Sequence, residues 1–342
     1  MSMDYKKAGV DIEDAQRSLE EIKGVVGSTW SPGVISNLSH FAGLYRLKEE
    51  RYKDPVLVSS TDGVGTKLKI AFMVGRHSTV GQDLVHHCAN DILVHGARPL
   101  LFMDYLAMSE ISSEVIEEVI SGLAKGCKEV GCSLIGGETA QMPEFYRLGE
   151  YDLAGFILGL VEREEIVDGS RIEAGDQVVG LASNGLHTNG FSLARKILLG
   201  KWRVDDYLED LGSTLGEELL RIHRHYGQAI LSLLSQGFKL KGMAHITGGG
   251  IEGNLSRIIP SGLVAQIKKG SWEVPPIFGL IERVGKVEEE EMFTVFNMGI
   301  GFILVVSPSI LGSVLSQLRS QAEIAWPIGE VVKGNMKKVI FE

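Results

Sequence analysis

The sequence predicts an α/β protein of two domains built on mixed sheets, and three observations predict it. Its 342 residues exceed a single core of about 100–200 residues. Apolar runs of strand length alternate with segments of helical periodicity along the whole chain. A polar stretch, DGSRIEAGD (168–176), interrupts that alternation near the middle and marks a boundary. The expected domains are residues 1–168 and 169–342. The interleaving predicts mixed sheets with helices on one face rather than a doubly wound fold.

The elements follow in order. Residues 1–23 are polar and acidic, and GVVGSTWSPGVISN (24–37) reads as loop. The run from Pro55 to Thr61 ends in small polar residues, which predicts a buried strand. Between 82 and 95, Val85, Ala89, Ile92 and Leu93 share one face, which predicts a helix. LLFMDYLA (100–107) is a strand and SSEVIEEVISGLAKGCKEVG (112–131) an amphipathic helix. CSLIGG (132–137) and LAGFILGLV (153–161) are two more strands. Beyond the boundary, QVVGLAS (177–183) is a strand, NGFSLARKILL (189–199) a helix, and 215–235 one long helix. Strand LVAQI (263–267), the run FTVFNMGIGFILVV (293–306) and a helix over 309–320 complete the pattern.

Composition narrows the function. The net charge of −10, from 34 basic and 44 acidic residues without a basic stripe, argues against nucleic acid as a partner. Cys88, Cys127 and Cys132 form no CxxC pair and point to a reducing compartment rather than a disulfide framework or structural zinc. No apolar signal core opens the chain and no apolar run reaches membrane length, so the expectation is a soluble, cytoplasmic protein. Glycine is the outlier, at 42 residues, well above the usual share of about 7%. No repeat explains it, so the excess sits in individual turns, where bare backbone approaches phosphate.

Five motifs carry candidate chemistry. In STDGVGTKLK (60–69), Asp62 stands at a strand end, Gly63 and Gly65 leave N–H groups unobstructed, and Thr66 and Lys67 add a hydroxyl and a cation. The Walker order is missing, and a tight turn capped by Asp is the plainer alternative. In GQDLVHHCANDILVHGARP (81–99), Asp83, His87, Asn90 and Asp91 share a helical face that carries no Lys or Glu. Such hard oxygen ligands beside Asp62 suit Mg²⁺ bridging phosphates, with His87 structural. GGETAQMPEFY (136–146) contributes Glu138, so three acids at element ends, Asp62, Asp91 and Glu138, are expected to converge on one metal–nucleotide site.

SNGLHTNGFS (183–192) opens a helix whose N-terminus offers N–H groups to a phosphate beside His187, Thr188, Asn189 and Ser192. Ordinary capping by Asn189 or Thr188 accounts for the turn but not for the histidine. In HITGGGIEGN (245–254), Gly248, Gly250 and Gly253 satisfy G-x-G-x-x-G with Glu273 beyond. The following helix must stop before Pro260, however, so a triglycine anion cradle beside His245 fits better than a dinucleotide site. Glu288 to Glu291 is a solvated charge run. Asn297, Gly299 and Gly301 mark a bulged or crowded strand. His40, His77, His223 and His225 find no partner in the sequence.

In this order, YKKAGVDI (5–12), STDGVGTKL, HHCANDILVHGARPLLFMDYLA, CSLIGGETA, YDLAGF, SNGLHTNGFSLARKIL, HITGGG and FNMGIG resemble the signature blocks of the phosphoribosylformylglycinamidine cyclo-ligase family. The resemblance spans essentially the whole chain. It implies ATP-dependent closure of formylglycinamidine ribonucleotide to aminoimidazole ribonucleotide, ADP and phosphate, through an iminophosphate, in purine biosynthesis. It also implies a homodimer whose N-terminal domains pair strands into a barrel.

Carried onto this chain, the resemblance assigns Mg²⁺–ATP to Asp62, Asp91 and Glu138, with Gly63, Gly65, Thr66, Lys67 and Asp104 along the nucleotide. It assigns the ribose phosphate of the substrate to Asn189, Ser192, Thr247, Gly248, Gly249 and Gly250. His187, His245 and Asp91 are the candidates for the chemistry, with His245 foremost for proton transfer. Potassium is a further ion that the resemblance allows. Three departures stand out. Residues 27–45 lack the family's basic, glycine-rich run, a role that Lys6, Lys7 or Lys67 would take over. Thr294 replaces an arginine, and Gln141 stands where an acid is common. The alternatives are a catalytically silent nucleotide-binding homologue and a sister ATP-dependent kinase or synthetase of the same fold.

Overall fold

The computed structural model describes residues 22–38, 40–47, 52–110, 112–334 and 338–342, so the YKKAGVDI block with Lys6 and Lys7 lies outside the described residues. The chain divides into two compact units. One comprises residues 1–92 and 99–162, the other 93–98 and 163–342. No helix among the described residues is long and apolar enough to cross a membrane.

The first unit is built on a four-stranded sheet of β1 (Pro55–Gly63), β2 (Arg98–Met108), β3 (Ser133–Gln141) and β4 (Tyr151–Glu162), in the order β1-β4-β2-β3. Strands β1 and β4 pair antiparallel in unbroken register from Pro55↔Glu162 to Gly63↔Ala154, whereas β2 and β3 run parallel. Helices α1 (Leu68–Val74), α2 (Ser78–Leu93) and α3 (Ser113–Val130) accompany it. Helix α3 buries Ile116, Val119, Ile120, Leu123 and Cys127, the i, i+3, i+4 stripe of an amphipathic helix, and stops at Gly131 with a left-handed φ of 79°. Exposure alternates along β1, so the sheet turns one face inward and leaves the other open.

The second unit holds a six-stranded mixed sheet. Its strands are β5 (Gln177–Ala182), β8 (Gly242–His245), β9 (Leu263–Ile267), β10 (Ile300–Val306), β11 (Ala325–Lys333) and β12 (Val339–Phe341), in the order β12-β9-β11-β5-β10-β8. A short pair, β6 (Tyr207–Leu208) and β7 (Ser213–Thr214), lies apart from it. Around them run α4 (Phe191–Leu198), α5 (Leu215–Leu219), α6 (Gly227–Ser235), α7 (Gly250–Leu255), α8 (Pro276–Gly285), α9 (Glu289–Val295) and α10 (Leu311–Ser320).

Every residue of β10 is buried, and its side chains alternate between two cores. Ile303 and Val305 join a cluster with Ile251 and Leu255 of α7, while Phe302, Leu304 and Val306 join one with Ile230 and Leu233 of α6 and Val314 and Leu318 of α10. The mixed sheets are as expected, but helices on one face is corrected for this unit. A strand apolar on both sides must be covered on both sides.

Two further expectations change. The single helix over 215–235 is broken into α5 and α6 by an irregular segment, 220–226. The carbonyl of Ile222, which a continuous helix would offer to the N–H of Tyr226, instead accepts from Asn184 Nδ2 at 2.7 Å. The run 293–306 begins as the end of α9 rather than as strand, and Asn297 to Gly299 form a turn before β10. The crowding expected there is real, with the β10 register shifting across Gly301.

Candidate active site

In the first unit the candidate residues assemble on β1 and α2. Asp62, one residue from the end of β1, accepts from the N–H of Gly63 at 2.7 Å and pairs with His87 Nε2 at 2.7 Å. Asp91, one helical turn after His87, lies 3.9 Å from the same nitrogen and accepts from Ser60 Oγ at 3.0 Å. Burial pushes the Asp62 carboxyl up, but the hydrogen bond and charge of His87 outweigh it and hold the carboxyl below the ordinary aspartate value. Burial likewise pushes His87 down, and the hydrogen bond to Asp62 with the charges of Asp91 and Asp83 holds it above the ordinary histidine value. His87 therefore bridges two carboxylates.

The helix face read from the sequence is real but not solvated, since Asp83, His87 and Asn90 are all buried. Asp83 pairs with Lys67 Nζ at 2.8 Å, with neither side chain exposed. The cation expected to lie open along phosphates is instead enclosed, and burial pulls its ammonium down against the opposing charge of Asp83. Gly65 and Thr66 are exposed. Glu138 lies within β3, not at a strand end, and is exposed. With β4 and β2 between β1 and β3, it sits roughly 14 Å across the sheet from the line of Asp62, at ~4.8 Å per strand. Among the described residues, the ligand atoms of Asp62, Asp91 and Glu138 do not form one close set.

Asp104 is buried on β2, and burial raises its carboxyl to about 7. Its parallel partner is Gly137, where any side chain would overlap the Asp104 carboxylate. One glycine of the GGET motif thus makes room for an acid rather than for a phosphate. The segment that departs from the family docks on the outer edge of β3. Trp30 Nε1 donates to the Leu134 carbonyl at 2.8 Å, and the Leu134 N–H donates to Thr29 Oγ1 at 2.9 Å. Thr294, where an arginine was expected, spends its hydroxyl on the Glu290 carbonyl one turn earlier at 2.8 Å.

In the second unit, the turn before α4, the end of β8 and the segment 220–226 meet. His187 is buried with φ 60°, a left-handed conformation that costs a non-glycine residue about 1–2 kcal/mol. Its ring stacks on His223, centroids 4.1 Å apart. His223 Nε2 lies 3.0 Å from His245 Nε2, and His223 Nδ1 lies 3.2 Å from Thr188 Oγ1. Tyr226 donates to the Ala182 carbonyl at 2.9 Å. A side chain at Gly301 would overlap both the Tyr226 hydroxyl and the His187 ring, which is the physical content of the crowded strand.

The triglycine loop adjoins this cluster. Asn254 Nδ2 donates to the carbonyls of Thr247, Gly248 and Gly250, and Asn254 Oδ1 accepts from Thr247 Oγ1 at 3.2 Å. Drawing those carbonyls onto a side chain takes electronegative groups away from an incoming anion. Asn189 Nδ2 is buried and meets no acceptor among the described residues. Gly250, at φ 60°, admits no side chain because the Phe293 carbonyl occupies that space. Ser192 is exposed on α4. The dinucleotide reading of Gly248, Gly250 and Gly253 fails on topology, because β8 is an edge strand and β9 lies four strands away rather than beside it.

Sequence reading gave no place to Tyr226 and Asn254, left His223 without a partner, and took Asn297 only as the mark of a crowded strand. Asn297 accepts from Ser183 Oγ at 2.8 Å and donates to the Gly185 carbonyl at 2.9 Å, tying the turn before β10 to the turn after β5. Asn254 had one local signal, its spacing of four residues from Gly250.

Residues 173–342 match the family described as AIR synthase related protein, C-terminal domain, and residues 41–161 its N-terminal domain. A phosphoribosylformylglycinamidine cyclo-ligase of Pseudothermotoga lettingae is 51% identical over 340 residues, 99% of this chain and 100% of that protein. One of Thermodesulfovibrio yellowstonii is 52% identical over 344 residues, 100% of both. Among solved structures, the hydrogenase maturation protein HypE in complex with ATP shares the fold, with a TM-score of 0.70 and 17% identity over 96% of this chain and 91% of that one.

Proposed function

Since this chain belongs to the AIR synthase related family over both of that family's domains, we infer that it is an ATP-dependent cyclo-ligase. It closes formylglycinamidine ribonucleotide to aminoimidazole ribonucleotide, with release of ADP and phosphate, in purine biosynthesis. The observation that carries this reading is its identity of about one half to cyclo-ligases along the full chain. In the reaction the formyl oxygen takes the γ-phosphoryl group from ATP. The ring-forming nitrogen then attacks the activated carbon, and the carbon–oxygen bond breaks as phosphate leaves.

The residues divide the work. Asp62 and Asp91 would hold Mg²⁺, which fits a cation that takes one or two carboxylates and leaves its other positions to water and phosphate. Their side chains are 44% and 27% exposed, so oxygen atoms remain accessible. When bound, the ion supplies neutralisation of charge on the phosphoryl oxygens. His87 fixes the two carboxylates, and exposed Gly65 and Thr66 suit the nucleotide. Lys67 acts from beneath, holding α2 through Asp83, and buried Asp104 shapes the sheet rather than touching ATP.

In the second unit, Asn189 with the loop Thr247, Gly248, Gly249 and Gly250 takes the ribose phosphate. The support is the buried amide of Asn189 and the carbonyls already spent on Asn254. His245 moves the proton of the cyclisation, and His187 lines the same cluster. We extend the reading to a homodimer, because Leu57 (62% exposed) and Phe156 (46%) lie on the open face of β1 and β4, where a second sheet would cover them.

The test is ATP turnover by purified protein with and without formylglycinamidine ribonucleotide, following ADP and the aminoimidazole product together. Equal amounts of both, only with substrate, are expected. ADP without aimed product would indicate a sister kinase, and no ADP from folded protein a silent homologue.

A further inference from the structure

His223 is buried at 0% exposure in the irregular segment between α5 and α6, and the function above gives it no task. Both of its ring nitrogens are engaged, Nε2 with His245 Nε2 and Nδ1 with Thr188 Oγ1. Two imidazole nitrogens 3.0 Å apart share one proton, so one ring donates and the other accepts. Each choice fixes the rest of the chain. If Thr188 donates to His223 Nδ1, then His223 Nε2 donates to His245, whose Nε2 is an acceptor and whose Nδ1 carries the hydrogen. If His245 Nε2 donates instead, His223 Nδ1 donates to Thr188, and the lone pair of the neutral His245 ring lies on Nδ1.

We propose that His223 is a positioning residue for the cyclisation, which sets the tautomer of His245 and links it to Thr188 in the turn that carries Asn189. The proposal rests on the cyclo-ligase reading, because it assigns His245 the proton transfer. The geometry gives it two supports. The stacked His187 ring, in its strained backbone conformation, holds the plane of His223. Tyr226, three residues on, is pinned by its hydrogen bond to Ala182, so the segment presents His223 in one register. The link to Thr188 means that an anion gripped at the turn before α4 bears on which nitrogen of His245 is basic.

Two variants separate the two bonds. In His223→Gln the side-chain amide reaches the place of Nε2 and keeps a partner for His245, and in His223→Asn it reaches only the place of Nδ1 and keeps Thr188. The expected result is a loss of kcat of about 10–100-fold in His223→Asn, a smaller loss in His223→Gln, and KM for the ribonucleotide within about twofold in both. The signature beyond activity is the ¹⁵N spectrum of the imidazoles, with His245 identified by its absence in His245→Asn. His245 is expected in one tautomer in the wild type and in a mixture in His223→Asn.

An unchanged His245 tautomer in a folded His223→Asn protein would overturn the proposal. So would equal losses of kcat in both variants that merely follow their loss of stability. If the wild type forms no aminoimidazole product, the cyclo-ligase reading fails, while the spectra still decide whether His223 sets the tautomer.

Discussion

The two clusters keep polar groups in place by different means. In the first unit charge is met by charge, with Lys67 against Asp83 at 2.8 Å and His87 between Asp62 and Asp91. In the second unit the ion pairs Arg221–Glu218 and Arg224–Glu323 flank the histidines rather than joining them. Hydrogen bonds join His223 to His245 and Asn254 to three carbonyls, and space comes from missing side chains, as at Gly301. The first arrangement is vulnerable to the loss of one partner, and the second to the gain of one methyl group.

The sharpest break of this contrast is Asp83→Leu. It strands the Lys67 ammonium in the interior and should lower stability by about 3–5 kcal/mol in urea unfolding. The double variant Lys67→Met with Asp83→Leu should recover most of that. A single variant as stable as the double would mean that charge pairing is not what holds α2.

Asp104 tests the same unit through pH. Its native carboxyl sits at about 7 because of burial, against the ordinary 3.8 when unfolded. The native state therefore keeps its proton to higher pH than the unfolded chain, and stability falls as pH rises through that window. Asp104→Asn should remove this slope, a difference of a few kcal/mol between its two ends, read from unfolding at stepped pH.

In the second unit, Gly301→Ala sets a methyl group against Tyr226 and His187 and should cost about 1–3 kcal/mol. Tyr226→Phe removes the overlapped hydroxyl, so the pair of substitutions should cost less than the sum, measured as a double-mutant cycle. The smallest stability effect is expected for Asn254→Ala, about 1 kcal/mol, since the carbonyls of Thr247 and Gly248 are only part-buried and can turn to water. Its mark is a raised KM for the ribonucleotide with kcat little changed. A fall in kcat alone would detach the triglycine loop from phosphate binding.

Much of the fold was legible. Strands β4, β5 and β9 and helix α3 lie within one or two residues of their expected bounds, because period and length mark apolar strands and amphipathic helices locally. The broken helix at 220–226 was not legible, because its cause is a hydrogen bond from Asn184, 38 residues away. The roles of Asp62, Asp91, His187 and His245 as cluster members were legible as unusual residue types at turns and element ends. The enclosure of Lys67 was not, since a lysine after a glycine turn reads the same whether its partner is a phosphate or Asp83.

By itself the sequence determined the mixed α/β character and many of the elements, and it marked the residues proposed to carry the chemistry. These follow from side-chain size, polarity and spacing along a few turns or strand residues. Only the tertiary structure decided which of those residues meet. Strand order separates Glu138 from Asp62, sets Gly137 against Asp104 and brings β10 with Gly301 under Tyr226. Such pairings depend on contacts between residues tens to over a hundred positions apart, and no local pattern encodes them.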